Sequence, residues 1–261
     1  MSPSFLTVRR EGAIARVFLA RPEKRNAFDD HVAAEIEAVF RDLAAEDGLR
    51  VVVLGGEGET FCAGGDLAWM RRVAEMDREA NLDDARRFQR AFEAIDSLPL
   101  PVVGRIQGAA LGGGAGLVAV CDVVVAARGL RIGFPEVRLG LVPGVVSPYV
   151  LRRLGPGPTR RLFLTGEILD AEEAWRLGLV HRIVPPEELD AAVSDVVDHL
   201  LAASPDGLRR AKALVAALVE APTPAAQAKI ARAAIAEARA SDEGREGTRA
   251  FLERRRPPWR T

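Results

Sequence analysis

The chain has 261 residues, a formal net charge of -1, 48% apolar and 28% charged residues. That length suits one large domain, or one domain with an appendage, and is ample for a buried core. The near-neutral balance removes the electrostatic case for nucleic acid or an anionic membrane surface as a partner. Cys62 and Cys121 lie inside apolar runs, which fits free thiols in a reducing compartment rather than a disulfide framework. No run approaches the roughly 18 apolar residues of a membrane span. The start, Met1 to Arg10, lacks a charged-then-apolar leader pattern. The expectation is a soluble, cytoplasmic protein.

In chain order, Ala13-Ile-Ala-Arg-Val-Phe-Leu-Ala20 reads as a strand, stopped by the breaker Arg21-Pro-Glu-Lys-Arg-Asn26. Val32, Ile36, Val39, Phe40 and Leu43 then recur at helical spacing, with Asp29 or Asp30 as the cap. Arg50-Val-Val-Val-Leu54 is a short continuous apolar run, as expected of a strand buried on both faces. It ends in Gly55-Gly56, and the next loop carries Phe61-Cys-Ala-Gly-Gly-Asp66. A polar helical region spans about residues 67 to 96. Strands follow at Pro101 to Ile106, Val123 to Ala126 and Arg131 to Phe134, the last ending at Pro135-Glu136.

The second half turns helical. Asp170 and Glu173 form a capping-box pattern, Val180 to Val184 offers one last strand, and Leu189, Val193, Val196, Val197 and Leu200 line one helix face. Ser204 caps a further helix with Pro205 at its first position. From there to Arg256 the chain is mostly Ala, Arg, Glu and Leu, strong helix formers. The composition changes near residue 200. Residues 1–200 therefore read as a wound α/β core and residues 201–261 as a helical appendage.

The stretch with most chemistry in it is Ile106-Gln-Gly-Ala-Ala-Leu-Gly-Gly-Gly-Ala-Gly116, leading into Leu117-Val-Ala-Val-Cys-Asp122. Consecutive glycines let a backbone turn sharply and let another group lie against it. The first amides of a helix have no partner within it. Such a place can hold a developing oxyanion on backbone N–H groups. A glycine-lubricated contact between helix and sheet explains the same residues equally well, so the block alone does not decide.

The ordered set of segments does. Arg21-Pro-Glu-Lys-Arg-Asn-Ala27, Phe61-Cys-Ala-Gly-Gly-Asp-Leu67, Gly108-Ala-Ala-Leu-Gly-Gly-Gly114, Cys121-Asp122, Gly133-Phe-Pro-Glu136, Gly140-Leu-Val-Pro-Gly144, Leu164-Thr-Gly166 and Phe251-Leu-Glu-Arg254 resemble the enoyl-CoA hydratase/isomerase, or crotonase, superfamily. Within it, Ala68-Trp-Met70 and Val146-Ser-Pro-Tyr149 look most like bacterial 3-methylglutaconyl-CoA hydratases. The resemblance implies a spiral of ββα turns whose C-terminal helical region, residues 201–261, makes homotrimers or homohexamers. It also implies an acyl-CoA substrate with no metal or redox cofactor.

By the same resemblance, Gly65 and Gly113 match the two oxyanion donors and Glu136 the acid/base carboxylate. The Ala63 carbonyl matches a contact to the adenine end of CoA. Lys24 and Arg25 fit either a phosphate-facing role or solvated surface, and Phe251 and Arg254 either an adenine contact in a neighbouring subunit or an exposed terminus. Asp66 and Leu67 flank the first donor; Asp66 serves substrate contact or, on chemistry alone, the turn.

One departure stands out. Relatives that hydrate use two glutamates, and the position matching the first is Gly116. The gap there, with help from Ser147 or Tyr149, is expected to admit a branched or acidic acyl group. One carboxylate can in principle accept a proton from water and return it to carbon. Three readings follow: a 2-enoyl-CoA hydratase first, an enoyl-CoA isomerase using Glu136 alone, and a non-catalytic acyl-CoA binder. His31, His181 and His199 are scattered and read as structural or surface residues. Cys62 has no basic partner to activate it, and Ser147 no nucleophile-elbow pattern.

Overall fold

The computed structural model describes residues 4–260. Met1 to Pro3, part of the segment read for a leader, and Thr261 lie outside the described residues. Strands β1 (Leu6–Glu11) and β2 (Ile14–Leu19) form a hairpin, followed by helix α1 (Asp30–Ala44) and strand β3 (Val51–Gly56). Helices α2 (Leu67–Ala74) and α3 (Arg78–Asp96) lead to β4 (Val102–Ile106), β5 (Ala109–Leu111), helix α4 (Gly113–Ala119), β6 (Val123–Ala127) and β7 (Arg131–Gly133). A short 3-10 turn covers Pro135–Leu139. Then come α5 (Ser147–Leu154), α6 (Pro156–Thr165), β8 (Ile168–Leu169), α7 (Ala171–Arg176), β9 (Arg182–Val184) and α8 (Leu189–Leu201). Three helices close the chain: α9 (Pro205–Glu220), α10 (Pro224–Ala240) and α11 (Asp242–Leu252).

The main sheet has six strands in the order β1-β2-β3-β4-β6-β9, antiparallel only at β1–β2. A second sheet, β5-β7-β8, stands beside it. The apolar run at β3 explains the layering. Val52 and Leu54 face the larger core with Phe28, Ile36, Phe40 and Phe92. Val51 and Val53 face the other side, against Leu189, Val193 and Val197 of α8. Each fully buried side chain of this kind contributes about 1.5–3 kcal/mol. Polar substitution on either face of β3 is correspondingly damaging.

Local chemistry sets the helix starts. Asp29 caps α1 through the amides of His31 and Val32, Asp170 caps α7, and Ser204 caps α9, as the sequence suggests. The polar helical region expected over about 67–96 consists of two helices, because Asp77 caps a fresh helix start at Arg78. The terminal Ala/Arg/Glu/Leu run likewise divides into three helices, each begun by a hydroxyl cap at Ser204, Thr223 or Ser241. No described helix is long and apolar enough to cross a membrane.

Candidate active site

The site grows from two loops laid against β5. The first is the stretch 61–66. Cys62 forms a parallel bridge with Ala110 and Gly65 one with Phe28. The hydrogen bonds at the second bridge are Phe28 N–H to Gly64 O at 2.8 Å and Asp66 N–H to Phe28 O at 3.0 Å. Phe28 thus bonds the residues on either side of Gly65, which turns the Gly65 N–H to the opposite side of the strand. Among the described residues that N–H has no acceptor, and Gly65 is exposed.

The second loop begins α4. Gly112 adopts φ 53° as its N-cap, donates its own N–H to Gly133 O at 2.9 Å, and leaves the Gly113 amide without an acceptor among the described residues. Gly112 is needed twice over. Its φ lies in the left-handed region, and a Cβ there would meet Glu136 Oε1 at 3.1 Å. The two loops touch: a Cβ on Gly64 would meet the Leu111 carbonyl at 3.3 Å, and one on Gly114 the Cys62 carbonyl at 2.6 Å.

Glu136 arrives on the 3-10 turn after β7, whose Gly133 carbonyl already holds Gly112. Its Oε2 is buried without a hydrogen-bond partner, and burial pushes its carboxyl above the ordinary glutamate range. A buried unpaired carboxylate costs stability. Its Oε1 lies close to Gly112, the residue before the free Gly113 amide, and a perturbed carboxyl in such a place is a candidate acid/base group.

Asp66 does other work than the expected substrate contact. Oδ1 caps α2 through the amides of Ala68 and Trp69. Oδ2 meets Arg21 at 3.1 Å and Lys24 at 2.9 Å. Burial alone would raise its pKa, but the Lys24 ammonium and the two amides outweigh it and bring it to about 2. Both oxygens are spent inside the protein, so Asp66 builds the loop that carries Gly65. Asp66→Ala is expected to lower stability by about 2–4 kcal/mol, because it leaves Arg21 half-paired in a buried setting and uncaps α2. Urea unfolding measures this. The contribution is present above the unfolded pKa of 3.8 and is lost as pH falls toward about 2.

Arg21 was missed as a site-building residue. It is buried, pairs with Asp29 at 2.7 Å as well as with Asp66, and donates to Ala27 O. Its place just before a proline turn carries no sequence signal. Lys24 is half-exposed beside Asp66. Arg25, at φ 52°, is exposed, and its carbonyl accepts the Ala63 N–H at 3.0 Å. The Ala63 carbonyl has no donor among the described residues. Leu67 is 73% exposed at the first turn of α2.

Gly116 corrects an expectation. A Cβ there would lie 2.2 Å from Val146 Cγ1 and 3.0 Å from Phe92 Cε1. The space of the missing carboxylate is filled by Val146 and Phe92, not left open for an acyl group. Tyr149 packs on Phe92 at 5.9 Å between ring centroids. Burial first, then Asp96 and Glu93, raise its hydroxyl to about 12, so it stays protonated. Ser147 donates to Gly144 O and is a turn residue.

Phe251 and Arg254 are not brought to this cluster within one chain. Phe251 is 82% exposed on α11, which packs on α9 and α10, and Arg254 follows it at φ 55°. Cys62 is fully buried with its thiol pushed up to about 12 by burial, so it is no nucleophile. His181 accepts the Val124 N–H through Nδ1, a structural use.

Among the described residues the Gly65 and Gly113 amides have no acceptor and Glu136 Oε2 has no partner, a set whose chemistry suits holding an oxyanion and moving a proton. The enoyl-CoA hydratase/isomerase family profile matches residues 9–261. A crystal structure of an enoyl-CoA hydratase from Shewanella pealeana superposes with a TM-score of 0.94 at 37% identity, covering 98% of this chain and 96% of that one. A crotonyl-CoA hydratase of Syntrophomonas wolfei is 32% identical over 96% of both chains. A short-chain-enoyl-CoA hydratase of Clostridium acetobutylicum is 32% identical over 78% of this chain and 77% of its own. The chain belongs to the enoyl-CoA hydratase/isomerase family and has the crotonase fold.

Proposed function

We propose that this protein adds water to the double bond of a 2-enoyl-CoA thioester. The observation that carries the reading is the buried, unpartnered Glu136 carboxylate beside Gly112, next to the free Gly113 amide. The relatives named for hydration of crotonyl-CoA and short-chain enoyl-CoA support the same chemistry. The thioester oxygen sits between the Gly65 and Gly113 amides. Glu136 takes a proton from one water as the hydroxyl bonds to the β carbon, and the π electrons move onto the thioester oxygen. The amides stabilise that enolate more than the ground-state carbonyl. Protonated Glu136 then delivers its proton to the α carbon. One water is added, and the carboxylate is regenerated.

The Ala63 carbonyl, with Lys24 and Arg25 near it, receives the adenine and phosphate end of CoA. Phe251 and Arg254 complete that subsite on a neighbouring copy of the chain. In support, α9 and α10 bury no residue in the single chain, and Val215, Val219, Ile235, Phe251 and Leu252 are exposed. A homotrimer or homohexamer built through residues 201–261 covers them. The reaction needs no metal or redox group in this scheme, and the proposed setting is the cytoplasm.

A second reading has its own observation. With Val146 packed where another carboxylate would stand, the site has one proton carrier, which is all a shift of a double bond from position 3 to position 2 requires. The finer reading of the substrate as a branched, carboxylated ester such as 3-methylglutaconyl-CoA rests on Ala68-Trp-Met70 and Val146-Ser-Pro-Tyr149 alone. A panel of crotonyl-CoA, 3-methylcrotonyl-CoA, 3-methylglutaconyl-CoA and a 3-enoyl-CoA separates these. Hydration of 2-enoyl members is expected. Conversion of the 3-enoyl ester without hydration moves the protein to the isomerases, and binding without turnover leaves a non-catalytic binder.

A further inference from the structure

Helix α2 borders the site yet buries none of its own residues. Half-buried Trp69 is its packing contact with the core, and polar ties add to it. Arg72 pairs with Asp30 of α1 at 2.5 Å. The Trp69 indole N–H reaches both carboxylate oxygens of Asp84 on α3, at 3.3 and 3.2 Å.

Asp84 is in an odd place for an acid. It shares the inward face of α3 with Phe88, Ala91, Phe92 and Ile95, and is only 6% exposed. An apolar residue would pack there without a desolvation cost. Burial raises its pKa first of all, partly offset by the Trp69 N–H, with Asp30, Arg87 and Arg72 as the charged neighbours. What the carboxylate gains for the protein is the orientation of one indole.

That indole faces the chemistry. Its Cζ3 lies 3.0 Å from where a Gly65 Cβ would be. From it an aromatic row runs to Phe88 at 4.9 Å, to Phe28 at 5.0 Å and to Phe92 at 5.8 Å between centroids. Phe28 in turn lies 2.9 Å from the Cβ position of Gly113. One row of rings thus backs both amide donors.

We infer that Asp84 is a positioning residue that holds the Trp69 indole as the acyl-site wall beside the Gly65 amide, and that this wall sets the size of acyl group accepted. The inference rests on the reading of Gly65 and Gly113 as thioester donors. Phe28, Phe88 and Phe92 are buried and Trp69 is the partly exposed member of the row, so an acyl chain leaving a thioester seated on the amides meets the indole. A fixed indole favours short chains, and a loose or absent one admits longer chains.

The test compares Asp84→Leu, Asp84→Asn, Trp69→Phe and Trp69→Ala in the full-length protein. Dissociation constants are measured for saturated esters from butyryl-CoA to dodecanoyl-CoA, with kcat and KM for the matching 2-enoyl esters. Asp84→Leu and Trp69→Ala are expected to raise KM for crotonyl-CoA about tenfold with kcat within about twofold, and to shift preference toward longer chains. Asp84→Asn keeps an acceptor for the indole N–H and is expected to retain the wild-type profile. If Asp84→Leu does not fold, Trp69→Phe removes only the N–H and part of the ring, and a smaller shift in the same direction is expected.

An unchanged chain-length profile in Trp69→Ala, or a loss of kcat uniform across the series, overturns the inference. Wild-type protein that binds the saturated series but hydrates no 2-enoyl ester overturns the hydratase reading instead, while the binding profiles still decide for or against the wall. Failure of the wild type to bind butyryl-CoA overturns both.

Discussion

Glu136→Gln is expected to lower kcat on a 2-enoyl-CoA by about 10³- to 10⁴-fold while leaving acyl-CoA affinity within a few-fold of wild type. Glutamine fills the same volume but cannot accept a proton from water or give one to the α carbon. No second carboxylate stands at residue 116 to share the work, so the loss belongs at the upper end of what one acid/base group supplies. The amide donors of Gly65 and Gly113 are untouched, which is why binding survives. Initial rates and isothermal titration with a saturated acyl-CoA read the two effects separately.

The same residue sets the pH behaviour. Burial raises the Glu136 pKa, and hydration needs the carboxylate form. The acid limb of kcat/KM is therefore expected above the ordinary glutamate value of 4.5, with activity falling as pH drops through it. For stability the sign is opposite. Between the unfolded and folded pKa the folded chain binds more protons, so this group's contribution falls as pH rises. At neutral pH Glu136→Gln should leave stability unchanged or raise it.

The second large effect is expected at Gly116. Gly116→Glu places its Cβ 2.2 Å from Val146 Cγ1 and brings a carboxylate in beside Val146 and Phe92. Overpacking and an unpaired buried acid together are expected to destabilise by at least about 3 kcal/mol. Val146→Ala in the same chain removes Cγ1 and is expected to recover part of that loss. Urea unfolding of the single and double variants checks both statements. If Gly116→Glu alone is as stable as wild type, Val146 does not fill the space as described.

These two residues also show what the sequence could reveal. The glycine block, the Asp29 and Asp170 caps, the strand at Val51 to Leu54 and Glu136 beyond its strand are local features, visible as spacing. The glycine at residue 116 was visible too, but its meaning was not. Val146 lies thirty residues on, and only the packing of α5 against α4 shows that its side chain occupies the gap. Arg21, Asp29 and Asp66 form one buried cluster from three separate segments, so no single window reports it. Strand β5 inside the glycine block was missed because alanine and glycine carry little strand propensity; its pairing with β7 makes it a strand.

Asp84 marks a signal that was present and unread. It falls four residues before Phe88 on the stripe continued by Ala91, Phe92 and Ile95, a core position by period. An acid on an apolar stripe asks for a partner, and the tryptophan fifteen residues earlier supplies it.

The proposed hydration of a CoA thioester relies on Glu136 together with the Gly65 and Gly113 amides. Its most direct measurement is the mass of the product formed from crotonyl-CoA in water enriched with heavy oxygen, by wild type and Glu136→Gln side by side. The account predicts a 3-hydroxyacyl-CoA carrying one solvent oxygen and one solvent hydrogen from the wild type, and almost none from the variant. Equal labelled product from both proteins would contradict it.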